Sequence, residues 1–158
     1  MMDGRAARPI RARPRLLIVE REMTTIDMTV PSTSRPMFII GWVLSGLLIA
    51  FMIFDAAIKL MDIQPVIDSM NQMGIPNDLA RPIGAIELVS LALYLSPRTA
   101  VLGAILLTGV FGGAIASHMR LLDPLFSHTL FGVYLGLLAW GGLWFRDERV
   151  RSLLPFRR

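Results

Sequence analysis

Met37-Phe-Ile-Ile-Gly-Trp-Val-Leu-Ser-Gly-Leu-Leu-Ile-Ala-Phe-Met-Ile-Phe54 is an eighteen-residue run without a charge, and it continues through Asp55-Ala-Ala-Ile-Lys59-Leu to Met61. A bilayer core takes about 20 predominantly apolar residues of helix, so this run reads as a membrane span. Ser34 and Pro36, just ahead of it, are helix-start residues. Three more apolar stretches follow, at about 79–96, 99–120 and 124–145, with the first span taken as about 37–61. The second is the weakest: it opens at Asn77-Asp78, carries Arg81 and Pro82 in its first turn and Glu87 near its middle, and closes at Ser96-Pro97. The fourth opens on Asp123-Pro124, an N-cap acid followed by proline at the first helical position. The expected fold class is all-α, a polytopic four-transmembrane-helix bundle over residues 37–145, since no ten-residue alternating strands mark a barrel.

Composition agrees with this reading. Of 158 residues, 54% are apolar and 18% charged, against about 45–50% and about 25% for an ordinary soluble domain. Cysteine is absent, which excludes disulfides, thiolate metal sites, iron–sulfur ligation and the dithiol chemistry of small four-helix membrane quinone reductases. The net charge of +4 divides unevenly: residues 1–35 and 146–158 together contribute +6, and residues 36–145 contribute −2. The basic character belongs to the tails, as suits anchors beside anionic lipid headgroups. A nucleic-acid surface would want basic residues on a folded face with aromatics between them, so no nucleic-acid partner is expected.

Orientation follows from the same charges. Arg35 in the leader, Arg98 in the second loop, and Arg146, Arg149 and Arg151 in the tail share one side of a four-span chain. The first loop, 62–78, holds Asp62, Asp68 and Asp78 and no basic residue. Both termini are therefore expected in the cytoplasm, in a bacterial inner (cytoplasmic) membrane. Trp42, Trp140 and Trp144 suit an interfacial belt on that side. Residues 1–36 read as a disordered Arg-rich leader interrupted by Pro9 and Pro14, with Met1, Met23 and Met28 all open as the start; 146–158 read as a basic cytoplasmic tail.

Apolar contacts alone do not drive helices together in lipid, so small residues are where backbones approach. Gly109 and Gly113 on the third span and Gly132 and Gly136 on the fourth are the expected packing positions, with Gly41/Ser45 and Gly46/Ala50 on the first. Ionisable residues inside a span are costly and functional by default. Asp55, Lys59, Glu87, His118, Arg120 and His128 all fall towards the outer half of the bundle, one or more from each helix, and form the candidate polar pocket. Several have plainer readings: Asp55 and Lys59 pair at four-residue spacing, Arg120 snorkels to the headgroups, and the histidines sit wetted at the interface. Glu87 has no partner within one turn of its own helix and must find one on another, at Lys59, His118 or Arg120. The His and carboxylate spacing follows no metal signature, and Met61, Met70 and Met73 read as adaptable packing, so no metal site is assigned.

Asp55-Ala-Ala-Ile-Lys59-Leu, Gly84-Ala-Ile-Glu87, Gly112-Gly113-Ala-Ile-Ala-Ser-His118-Met-Arg120 and Asp123-Pro124-Leu-Phe-Ser-His128, with Trp140-Gly-Gly-Leu-Trp144 and Arg146-Asp147, resemble the DoxX-like branch of the DoxX family over about residues 37–151. The resemblance implies a four-helix bacterial inner-membrane protein, a quinone as possible cofactor, and an accessory role in a quinone-linked redox or oxidative-stress system beside a membrane or soluble redox partner. No cofactor motif is encoded in the residues themselves, and the reading leans away from a catalytic activity of the chain's own. Two alternatives stay open: a small-molecule or proton-coupled binding or transport protein using the polar pocket, and a structural module that anchors a partner. The lipid bilayer is the expected surrounding, with homo-oligomers open.

Overall fold

The computed structural model describes residues 34–153. The readings of the leader up to residue 33 and of the tail from residue 154 lie outside the described residues. Every described element is helical. Helix α1, Arg35–Leu60, starts after an extended Ser34 with proline in its first turn, where the missing N–H costs nothing. Its 26 residues make about 39 Å at about 1.5 Å per residue, enough to cross a bilayer with some tilt. Asp62, at φ 48°, turns the chain out of α1.

The acidic first loop is not a plain loop. Gln64–Gln72 forms a short helix, α2, with proline in its first turn. It ends at Gly74, whose φ of 63° suits a residue without a Cβ. Val66 and Met70 are buried on one face, over Ala80 and beside Ile58, Ile63, Ile75 and Ile83. These spacings of three and four residues are the amphipathic helical pattern.

A 3-10 turn, Asn77–Leu79, leads into α3, Ala80–Leu95. Helix α4 spans Ala100–Arg120. The fourth apolar stretch departs from expectation at its start: residues 125–129 form a π turn, and the α-helix, α5, runs only from Phe131 to Arg146. Asp123 does not cap this helix: the α-helix begins eight residues further on, and the Asp123 carboxylate lies 2.7 Å from His118 Nδ1. The chain beyond α5 is also more structured than a plain tail. Asp147 accepts a hydrogen bond from the Arg149 N–H at 2.9 Å, a short helix α6 spans Glu148–Leu153, and Val150 is 1% exposed in the main core.

Helix α1 packs on α3 and α5, and α4 packs on the same two, so the four long helices stand in a ring. Leu48, Met52, Tyr94, Leu107, Phe111 and Leu143 fill the middle. The outside is apolar as well, with Ile39, Val43, Phe54, Ile105 and Leu137 exposed, as a lipid-facing surface requires. Among the described residues three helical segments are long and apolar enough to cross a membrane: α1, α4 and the stretch from Leu125 to Arg146. The expected second span, α3, has 16 residues, about 24 Å, and is shorter than the hydrocarbon core of a typical bilayer.

Candidate functional site

Glycine decides where the helices meet. A Cβ on Gly84 of α3 would lie 3.1 Å from the Ala56 carbonyl oxygen and from Lys59 Cβ on α1. Three residues further along α3, on the same face, stands Glu87. The close approach at Gly84 therefore brings the Glu87 carboxylate onto Lys59: Nζ lies 2.5 Å from Glu87 Oε1 and 2.6 Å from Asp55 Oδ2. One ammonium holds two carboxylates. Glu87 is 2% exposed, and its Oε2 has no hydrogen-bond partner.

Beside this triad is a cavity of about 620 Å³, walled by α1, α2, α3, α4 and α5 together with His128 of the π turn. Asp55, Lys59, Glu87, His118 and His128 all line it. Five of the six polar residues singled out in the sequence thus face one space. The sixth, Arg120, is elsewhere: its guanidinium donates to the Met73 carbonyl and so ties the end of α4 to the end of α2. His118 is held by Asp123 through Nδ1, and its ring meets that of His128 edge to face at 5.7 Å between centroids. Among the described residues no three of His, Asp or Glu are grouped to hold a metal ion.

The rest of the wall is apolar. Phe51 and Phe131 stand edge to face at 5.1 Å, and Met52, Met70 and Met73 complete it. The expected packing glycines divide. Gly132 packs tightly, since its Cβ would meet Ile115 Cγ1 at 2.8 Å, but Gly109, Gly113 and Gly136 have nothing within 4 Å of theirs. Gly109 and Gly113 line the cavity instead, where the missing side chains leave room. The other tight crossings are at Gly41 against the backbone of Arg146, Gly103 against the backbone of Tyr94, and Gly142 against Ser45. Gly46, like Gly109, meets nothing.

At the opposite end of α1 the sequence reading missed a second cluster. The Tyr94 hydroxyl donates to the Ala139 carbonyl at 2.9 Å and lies 3.0 Å from Ser45 Oγ. The Arg146 guanidinium lies 4.7 Å from the centroid of the Tyr94 ring and 4.8 Å from that of Trp42, and donates to the Tyr94 carbonyl at 3.1 Å. The available signal was a tyrosine inside an apolar run. A phenol buried there must find an acceptor, and α5, across the core from α3, supplies one in the Ala139 carbonyl.

A sequence model of the DoxX-like family matches residues 43–142, more than half of the chain. The chain belongs to the DoxX-like family. The matched stretch of this DoxX-like protein contains all five polar residues of the cavity and leaves out Trp42 and Arg146. No curated protein and no solved structure matches the chain.

Proposed function

We propose that this DoxX-like protein is a four-span membrane protein that binds a small, largely apolar molecule in the cavity beside Lys59. The observation that carries this reading is the cavity itself, on which Asp55, Lys59, Glu87, His118 and His128, from three helices and the π turn, converge among apolar side chains. Apolar walls with a few convergent polar groups, and a volume of about 620 Å³, are the features of a small-molecule pocket. Helix α3 serves as the second span in this reading, lengthened at its start by the 3-10 turn, with the Arg-bearing leader, second loop and tail on the cytoplasmic side of a bacterial inner membrane.

A quinone, which the resemblance implies, would find donors for its oxygens in the imidazoles of His118 and His128, since Lys59 already serves two carboxylates. The accessory redox role rests on the family resemblance alone.

The pocket reading is tested with a neutral probe, 1-naphthalenemethanol, by equilibrium dialysis against protein in nanodiscs. Wild type binds it saturably above protein-free nanodiscs. Gly113→Leu, which places a side chain where nothing now lies within 4 Å of the Cβ position, removes that saturable component. Undiminished binding in Gly113→Leu would overturn the assignment.

A further inference from the structure

Three arginines meet at the other end of the bundle. Arg98 of the turn between α3 and α4, Arg146 at the end of α5 and Arg149 of α6 line a second cavity, of about 380 Å³, which shares no residue with the cavity beside Lys59. Elsewhere Arg81 pairs with Asp62, Arg120 bonds to the Met73 carbonyl and Arg151 pairs with Glu148. The three arginines of this wall are in no ion pair among the described residues, although Asp147 stands in the same wall. The wall thus sets three positive charges against one negative. Arg146 is held in place without being neutralised: its guanidinium lies against the rings of Trp42 and Tyr94, and its one hydrogen bond among the described residues goes to the Tyr94 carbonyl. The other N–H groups of that planar fork stay available to an anion, and two-pronged bonding to phosphate is what the fork does best. Ala100, the first residue of α4, is also in the wall, so the positive end of that helix dipole adds to the field.

The same cavity has an apolar side. Phe38, Trp42 and Leu95 line it and are nonetheless 48%, 44% and 42% exposed, in continuity with Ile39 and Val43 on the lipid-facing surface of α1. A soluble anion would use the arginines and leave this side bare, whereas a phospholipid uses both. In the orientation proposed above, this end lies in the cytoplasmic leaflet, where basic pockets between helices meet anionic headgroups. We propose that the cavity holds an anionic phospholipid, its phosphodiester against Arg98, Arg146 and Arg149 and its acyl chains along Phe38, Trp42 and Leu95. A zwitterionic headgroup brings an ammonium of its own to a wall that is already positive and binds more weakly. The site is independent of what the cavity beside Lys59 takes.

The test is native mass spectrometry of the full chain released from non-ionic detergent micelles, titrated with dioctanoyl phosphatidylglycerol, dioctanoyl phosphatidylcholine and glycerol phosphate. Phosphatidylglycerol is expected to bind about tenfold more tightly than phosphatidylcholine, whose ammonium alone faces the guanidinia. Glycerol phosphate, without acyl chains, should bind more weakly than phosphatidylglycerol by at least the same factor. Arg98 and Arg149 are exposed, so Arg98→Gln and Arg149→Gln leave the fold intact; each should weaken phosphatidylglycerol severalfold, and the two together should bring it to the level of phosphatidylcholine. Arg35→Gln, exposed at the same end but outside the cavity, should leave the preference unchanged. Equal binding of the two lipids to wild type, or a preference that survives the double substitution, overturns the site. A loss in Arg35→Gln as large as in Arg98→Gln shows diffuse attraction to a basic end and overturns it as well. Glycerol phosphate binding as tightly as phosphatidylglycerol shows that the acyl chains contribute nothing and overturns the lipid as its occupant.

Discussion

Replacing Lys59 by methionine removes the one cation that the two carboxylates share and keeps the length of the side chain. Asp55 is 26% exposed and can be screened by water, but Glu87 is 2% exposed. Removing one partner of a buried pair costs about 3–5 kcal/mol. Asp55 adds little to this because it is partly wetted, so the expected loss lies at the low end, about 3 kcal/mol, or more than a hundredfold in the ratio of folded to unfolded chain. Lys59→Met with Glu87→Leu removes the stranded charge as well, and an apolar replacement for a buried pair is close to neutral, so the double variant should recover to within about 1 kcal/mol of wild type. The resulting coupling between the two sites, about 2 kcal/mol or more, is what contact in one network produces. The assay is reversible unfolding in mixed micelles with a rising fraction of denaturing detergent, followed by tryptophan fluorescence. A Lys59→Met variant within 1 kcal/mol of wild type, or a double variant no more stable than the single one, would show that Glu87 is not held as an ion pair and would refute the reasoning.

Gly103→Ala places a Cβ against the backbone of Tyr94 and 2.8 Å from the carbonyl carbon of Leu93; it should cost about 1–3 kcal/mol in the same unfolding assay, whereas Gly109→Ala should be neutral or up to about 1 kcal/mol stabilising, because it meets nothing and favours the helix. Arg146→Leu gives up two ring contacts and the bond to the Tyr94 carbonyl and should lose about 1–2 kcal/mol. Reporter fusions at Arg35 and after Arg151 should both report the cytoplasm and a fusion near Gln72 the opposite side; opposite sides at Arg35 and Arg151 would mean an odd number of spans and would remove α3 from the membrane.

The long helices were legible because their signal is redundant. Every residue of Met37 to Phe54 says the same thing, and an error at either end changes little. The signal fails where a few residues decide. In residues 62–78 the acids read as a loop, while the apolar residues Val66, Ile67, Met70 and Met73 carry helical spacing over one short stretch, and that spacing forms α2. At Asp123-Pro124 the local rule for a helix start did not hold. Asp123 Oδ2 lies 2.7 Å from Nδ1 of His118, five residues back at the end of α4, and the turn that follows takes π geometry with no side-chain cap. The spacing of the two residues does not by itself say that the chain folds back so that they meet.

The site divides along the same physical line. A charge in an apolar helix is visible at once because its solvation penalty does not depend on knowing the fold, so Asp55, Lys59, Glu87, His118 and His128 could be listed before any of them was seen to share a cavity. Which of them touch is another matter, and it depends on backbone approach. The glycines could not be sorted by spacing: Gly109 and Gly113 have the four-residue interval of a packing motif and open a cavity, while Gly84, with no glycine partner on its helix, makes the crossing that delivers Glu87 to Lys59. The absence of a side chain has two uses in a helix bundle, to let a neighbouring backbone in or to leave a space unfilled, and a glycine in a sequence is compatible with both. What separates them is the residue one turn away. Glu87 follows Gly84 at three residues and needs a partner on the facing helix, so close approach there relieves a buried charge; nothing ionisable stands within four residues of Gly109 or Gly113 on α4, and an open wall costs that helix no polar contact.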